Sequence, residues 1–217
     1  MGPGRHKLLE LGVGGGHHLA QFTEEFHCTG LDLSADMLEL SKELNPGVGH
    51  VLGDMRTVRL GGTFDAVLIH DSASYLLSEE DLRETFKTAR AHLRPEGVIL
   101  IAPDWVQENF PDGWLFSWER EKDGIQVEIT EFIADPDPSD TLVESAYTYT
   151  ITRDDVVTVE RDTHITGLFP INTWTQLLED AGFSVELRPL PPNEGGWGCW
   201  LFVGVLGSDN GPKSEIA

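Results

Sequence analysis

The sequence predicts an α/β domain in which seven strands build a mostly parallel sheet, with an antiparallel β-meander inserted after the fifth strand. Up to residue 103, short apolar runs alternate with helical patterns, as in parallel strands joined by crossover helices. After Asp104 the pattern becomes long segments of alternating polar and apolar residues, rich in β-branched and aromatic side chains. A helical segment and two strand-like runs then close the chain.

Residues 7–11 read as a first strand that opens directly into glycines. Leu19, Phe22 and Phe26 recur at helical spacing over 16–26, which predicts a first helix. Residues 28–33 form a second strand, and Ser34 caps a helix carrying Met37, Leu38 and Leu44. That helix stops at Asn45-Pro46-Gly47. Residues 50–54 and 64–70 supply strands three and four. A longer helix over 78–93 bears Leu82, Phe86, Ala89 and Leu93 on one stripe. Its basic stripe, Arg83, Lys87, Arg90 and Arg94, lies among acids and reads as an internally paired solvated face. Residues 98–103 are the fifth strand.

Residues 125–133, 142–153 and 156–166 then alternate as three antiparallel strands separated by ADPDPSD and RDD turns. A helix over 172–181 follows, with Thr173 and Gln176 as a capping box and Gly182 as its stop. Residues 184–190 and 199–206 complete the sheet. The reading is one domain over 1–207, with 105–168 as an insertion covering the active site and 208–217 as a polar, disordered tail.

The charge excludes some partners. Against 15 Lys+Arg stand 37 Asp+Glu, a net charge of −22 that repels nucleic acid and anionic membranes. No apolar stretch is long enough for a membrane helix and the N-terminus lacks a signal-peptide pattern, so a cytoplasmic protein is expected. Cys28 and Cys199 sit in apolar runs as small core residues, and no Cys/His cluster argues for a metal.

The chemistry concentrates in LLELGVGGGHH. Gly12, Gly14 and Gly16 permit close backbone approach to a ligand. A dinucleotide fingerprint starting at Gly12 needs its third glycine at position 17, which is His17. Glu10 precedes the loop, where a carboxylate repels a pyrophosphate and suits an ammonium. Asp32 ends the second strand, 20 residues past Gly12, the spacing of an acid that accepts from ribose hydroxyls. Asp54 ends the third strand in GDMR, where it can accept from an adenine amino group while Met55 covers the ring. Taken singly, Asp32 reads equally as a helix cap and Asp54 as a turn residue. Three acidic strand ends together point to a zwitterionic nucleoside.

This conjunction resembles the class I S-adenosylmethionine-dependent methyltransferases over nearly the whole chain, through LLELGVGGG, TGLDLSADML, LGDMRTVRL, FDAVLIHDSASYL and HLRPEGVILIAPD. The resemblance implies a Rossmann-like sheet of order 3-2-1-4-5-7-6 with the seventh strand antiparallel. It also implies S-adenosylmethionine as cofactor and S-adenosylhomocysteine as product. The cofactor residues are then Glu10, Gly12, Val13, Gly14, Gly16, His17, Asp32, Leu33, Met37, Asp54, Met55, Arg56 and His70. Within the family, GDMR, PDWVQENFPDGW and DTHITGLF are similar to glycine N-methyltransferase and to the deoxyaminosugar N,N-dimethyltransferases. Those relatives carry a helical segment before the glycine strand, which here begins at about residue 7. The expectation is therefore either a shortened chain or an unusually open pocket.

Acceptor residues are expected at the exit of strand four and in the insertion. His70 is the base suggested by its titration range, or else a residue whose backbone alone meets the cofactor. Asp71 either receives a proton from an acceptor amine, holds its cation, or caps a helix or turn. His164 in DTHITGLF is the second candidate for catalysis. Tyr75, Trp105 and Trp114 are candidates for substrate contact, with packing as the alternative for each. The function expected is methyl transfer to a small molecule, an amine before a hydroxyl. A small-molecule O-methyltransferase and a non-catalytic S-adenosylmethionine-binding protein are the alternatives. A nicotinamide-dependent reductase is disfavoured by His17 and Glu10. A homodimer is left open.

Overall fold

The computed structural model describes residues 6–191 and 199–208. Strand β1 (His6–Leu11) is followed by β2 (Phe26–Asp32), helix α1 (Ala35–Leu44), β3 (Gly49–Leu52), β4 (Phe64–Ile69), α2 (Glu79–His92) and β5 (Leu93–Ile101). Next come β6 (Trp114–Lys122), β7 (Ile125–Ala134), β8 (Leu142–Arg153) and β9 (Val156–Gly167). Helix α3 (Ile171–Asp180), β10 (Phe183–Pro189) and β11 (Trp200–Leu206) follow.

Seven strands form one sheet in the order β10-β11-β5-β4-β1-β2-β3, and β6 to β9 form a second. In the first sheet β1 to β5 run parallel, and β11 is antiparallel to both β5 and β10. This is the order expected for a Rossmann-like methyltransferase fold.

The main sheet is buried on both faces by side chains that alternate along its strands. Leu9, Leu11, Val67 and Ile69 pack against Leu82 and Phe86 of α2 and Trp174 and Leu177 of α3. The intervening Leu8, Ala66 and Leu68 pack on the opposite face with Leu19 and Leu38. Trp174 is fully buried, its ring facing Phe86, Phe169 and Phe202 at centroid distances of 6.2, 5.9 and 5.6 Å. The basic stripe is paired as expected. Arg83 meets Glu80 and Asp180, Lys87 meets Glu84, Arg94 meets Asp65, and Arg90 donates to the Ala181 carbonyl.

Three local expectations are corrected. The helix over 16–26 is only a 3-10 turn, Leu19–Phe22, ended where Thr23 Oγ1 donates back to the Ala20 carbonyl. The insertion has a fourth strand, β6, whose alternation is masked by an apolar start and a charged end. Helix α3 starts at Ile171 with Pro170 as its N-cap, so Thr173 caps nothing. The Glu108 carboxylate accepts the Ile171 N–H at 3.0 Å, a tertiary cap that no local pattern announces. Of the predicted tail, 209–217 lies outside the described residues. No described helix is long and apolar enough to cross a membrane.

Candidate active site

The site lies at the carboxyl ends of the parallel strands, where an open α/β sheet offers a crevice. The chain leaves β1 through Gly12 at φ +78° and Gly16 at φ +79°, in the left-handed region that favours glycine. A β-carbon on Gly12 would also stand 2.2 Å from Cβ of Ser72, and one on Gly16 would stand 2.2 Å from Oγ of Ser41. The turn is clamped from three sides. Gly12 and Val13 donate to the Leu31 carbonyl at 2.7 and 2.9 Å, Asn45 Nδ2 donates to the Gly16 carbonyl at 2.9 Å, and Ser72 Oγ donates to the Leu11 carbonyl at 2.8 Å. Gly14, by contrast, faces open space.

Asp32 Oδ2 accepts the Gly14 N–H at 2.7 Å and Oδ1 accepts the Ser34 N–H at 2.9 Å. Asp32 thereby fixes the glycine turn and the start of α1 while staying half-exposed. Leu33 and Met37 beside it are large exposed apolar side chains, at 72% and 43% exposure. Val13 is buried beneath the turn, against Gly30.

Glu10 lies buried beneath the turn. It is 1% exposed; Oε1 accepts from His18 Nδ1 at 3.1 Å, and Oε2 has no hydrogen-bond partner among the described residues. A buried carboxylate oxygen without a donor is costly and calls for a cation. The ammonium of the methionine moiety fits that requirement, so this donor set suits S-adenosylmethionine. His17 is exposed, and its neighbour His18 is the one that turns onto Glu10.

At the end of β3, Asp54 is gripped by Arg56, whose Nε and Nη2 lie 3.0 and 2.7 Å from its two oxygens. Arg56 Nη1 reaches Asp81 of α2 at 2.6 Å. The guanidinium holds the Asp54 carboxyl below the usual carboxylate range. Met55 is half-buried against the core and passes close under Gly12.

The exit of β4 carries His70 and Asp71. His70 Nδ1 donates to Asp71 Oδ1 at 2.5 Å, and the His70 ring stacks on His18 with centroids 4.3 Å apart. Asp71 raises the His70 pKa, with Asp104 and Glu10 adding to the shift and burial opposing it. Tyr75 ends the same turn. Its hydroxyl lies 2.7 Å from His164 Nδ1, and His164 Nε2 lies 3.2 Å from Asp162 Oδ2.

The second sheet faces this exit with groups the sequence did not single out. Tyr147 Oη donates to Glu131 Oε1 at 2.7 Å, and the Tyr147 ring lies 4.9 Å from that of His164. Burial pushes both Tyr75 and Tyr147 phenols upward. Asp104, after β5, donates its N–H to Ser74 Oγ. Its carboxyl is pushed up, to about 7, by desolvation in the recess and by the charge of Asp71. The residue still reaches solvent, and water tempers that desolvation. Trp105 stacks on Phe116, which also contacts Trp114, so the two predicted tryptophans flank one phenylalanine at the root of β6. The missed residues had a signal. Asp104 follows the end of a parallel strand, as Asp54 does and as Asp32 closes one, and Tyr147 and Tyr149 share a strand face.

A buried carboxylate with an unpartnered oxygen under a glycine turn, with an acid at the neighbouring strand end, suits a zwitterionic nucleoside cofactor. Comparison with known proteins makes the class specific. Residues 8–97 match the family described as a methyltransferase domain. The chain is 34% identical over 206 residues to the dTDP-3-amino-3,4,6-trideoxy-α-D-glucopyranose N,N-dimethyltransferase of Streptomyces venezuelae, covering 94% of this chain and 84% of that one. It is 31% identical over 223 residues to the dTDP-3-amino-3,6-dideoxy-α-D-glucopyranose N,N-dimethyltransferase of Streptomyces fradiae, covering 95% and 79%. Among solved structures, Streptomyces venezuelae DesVI superposes with a TM-score of 0.84 at 32% identity, over 94% of this chain and 85% of that one. S-adenosylmethionine-bound CalS10, an amino pentose methyltransferase from Micromonospora echinaspora, gives 0.81 at 27%, over 94% and 84%. The chain belongs to the S-adenosylmethionine-dependent methyltransferases, in the group that includes the deoxyaminosugar N,N-dimethyltransferases. It is an enzyme that uses S-adenosylmethionine as its methyl donor.

Proposed function

We propose that the acceptor is the amino group of a nucleotide-linked deoxy sugar, seated between the exit of β4 and the facing side of the second sheet. The observation that carries this reading is the placement of Asp71, Asp104, Glu131 and Asp162 around Tyr75, Tyr147 and His164, a recess suited to an amine. Near full-length similarity to enzymes named for such sugars supports it.

S-adenosylmethionine supplies a methyl group on a sulfonium, so the donor already carries its leaving group. The protein then has to orient the partners and free the acceptor lone pair. Glu10 holds the methionine ammonium, and Gly12, Val13, Gly14 and Gly16 let the backbone approach. Asp32, beside Leu33 and Met37, would hold the ribose hydroxyls, and Asp54, fixed by Arg56 and beside Met55, would hold the adenine amino group. His17 stands exposed at the mouth of this cradle. Tyr75 Oη takes the proton of the acceptor ammonium as its own passes to His164 Nδ1, and Asp162 holds the resulting imidazolium. Trp105 and Trp114 border the sugar side.

The test is incubation of the protein with S-adenosylmethionine and dTDP-3-amino-3,4,6-trideoxy-α-D-glucopyranose, followed by mass spectrometry of the sugar. One or two methyl groups added to nitrogen is the expected result. A methyl on oxygen, or transfer only to amines lacking the nucleotide, overturns this choice of acceptor.

A further inference from the structure

The glycine turn and the exit of β4 meet in a row of four titratable groups. His18 Nδ1 donates to Glu10 at 3.1 Å, the His18 and His70 rings stack at 4.3 Å and 27°, and His70 Nδ1 donates to Asp71 at 2.5 Å. Two carboxylates thus flank two imidazoles. Asp71 favours an imidazolium on His70, whereas two imidazoliums stacked at this distance would repel one another. The row accommodates one proton readily and resists a second positive charge.

A second positive charge is nevertheless brought to it. If the methionine ammonium is held at the unpartnered Glu10 Oε2, the short methylene chain to the sulfur would limit how far the sulfur can lie from the imidazole pair. The donor carries a sulfonium there. The product carries the same ammonium but an uncharged thioether. At this row, donor and product differ by a single charge.

We propose that the stacked His18–His70 pair distinguishes donor from product through its protonation, the neutral pair favouring the sulfonium and the protonated pair favouring the thioether. The inference rests on the placement of the ammonium at Glu10. His70 is the member that releases the proton, because its partner Asp71 lies on the exposed side of the row. The groups facing His70 are Asp71 on its own turn, Asp104 after β5, Glu10 on β1 and His18 behind the glycine turn. Asp71 most, then Asp104 and Glu10, raise its pKa above that of an ordinary histidine, against the opposing effect of burial. There is a consequence for turnover. Methyl transfer breaks the S–CH3 bond, forms the N–CH3 bond and leaves a proton on the acceptor nitrogen. The loss of the sulfonium charge makes His70 a better base at that moment, ready to take up that proton.

The test is calorimetric titration of the full chain with S-adenosylmethionine and with S-adenosylhomocysteine between pH 6 and 8, in buffers of two ionisation enthalpies. More protons released by the donor than by the product are expected, together with a donor-to-product Kd ratio that rises as pH falls. The rise should be at most about tenfold per pH unit below the crossover. His70→Gln, shown folded by thermal melting, abolishes both effects, and the ligands' own titrations remain as the control. Asp71→Asn removes the group that holds the proton and moves the crossover to lower pH. Equal proton release by the two ligands in the unaltered protein overturns the proposal. So does a differential that survives His70→Gln but vanishes in Asp104→Asn, because the acid would then sense the charge. Glu10→Gln separates the underlying placement: unchanged affinity for both ligands means that the ammonium is not at Glu10.

Discussion

Gly167 of β9 lies so close to Leu76 that a β-carbon on it would stand 2.1 Å from the Leu76 carbonyl oxygen. This approach presses the second sheet against the exit of β4 and brings His164 within 2.7 Å of the Tyr75 hydroxyl. The glycine in DTHITGLF therefore sets the depth of the acceptor recess, and it does so through space, since its backbone is ordinary strand.

Gly167→Ala is expected to force β9 away from Leu76 and to destabilise the fold by about 1–3 kcal/mol. The acceptor KM should rise, while affinity for S-adenosylhomocysteine stays within about twofold, since the bonds from Asn45 and to the Leu31 carbonyl still hold the glycine turn. Thermal melting and calorimetry check the two halves. Equal loss of acceptor and cofactor binding would show that the sheets do not move separately.

Glu10→Gln separates stability from binding. The carboxylate is buried with one oxygen unpaired, so neutralising it should leave the melting temperature of the free protein unchanged or higher. Its loss as a partner for the methionine ammonium should weaken both donor and product by about 10- to 100-fold. The readout is the shift in melting temperature produced by each ligand, which should shrink in the variant.

Much of this site was legible because parallel strands deliver their last residues to one edge. Glu10 and Asp32 could be placed from their distance to the glycines alone. The predicted order of the sheet came through resemblance to a family, since no spacing in the chain says which strands are neighbours. What stayed hidden depends on contacts across the chain. The first helix failed because Thr23 bonds back and ends it, and α3 begins early because Glu108 caps it from 63 residues away. The pairing of Glu131, Tyr147 and Asp162 follows from strand register, which places Tyr147 opposite both acids. Alternation shows that they lie on strands, and only the register brings them together.

Arg56→Ala tests the Asp54 clamp. Arg56 is 43% exposed, so its pairs with Asp54 and Asp81 are partly screened and the loss at pH 7 should be about 1 kcal/mol. The folded Asp54 and Asp81 pKa values are both lowered, so their contribution is present above the unfolded carboxylate value. The stability gap between the unaltered protein and the variant should hold from neutral pH to about 4 and close as the pH falls further. Denaturant melts at pH 7, 5 and 3 check this. A gap that persists at pH 3 would assign the effect to packing of the arginine stem.

The chain from Tyr75 through His164 to Asp162 makes a claim that turnover can judge. If Tyr75 relays the acceptor proton, Tyr75→Phe removes the only hydroxyl on that path and should lower kcat about 100-fold, with S-adenosylhomocysteine binding unaffected. The residual rate should climb more steeply with pH, because solvent base must then do what the phenol did. His164→Gln retains a polar side chain but cannot carry the proton onward, so it should reproduce the pH response with a smaller drop in rate. Asp162→Asn leaves His164 able to accept the proton and removes only the charge that stabilises the imidazolium, so its effect should be the least of the three. An order in which the Asp162 variant is the slowest would instead make Asp162 a direct partner of the acceptor cation. In that case its effect should appear chiefly in KM, which distinguishes it from a slower proton transfer read in kcat.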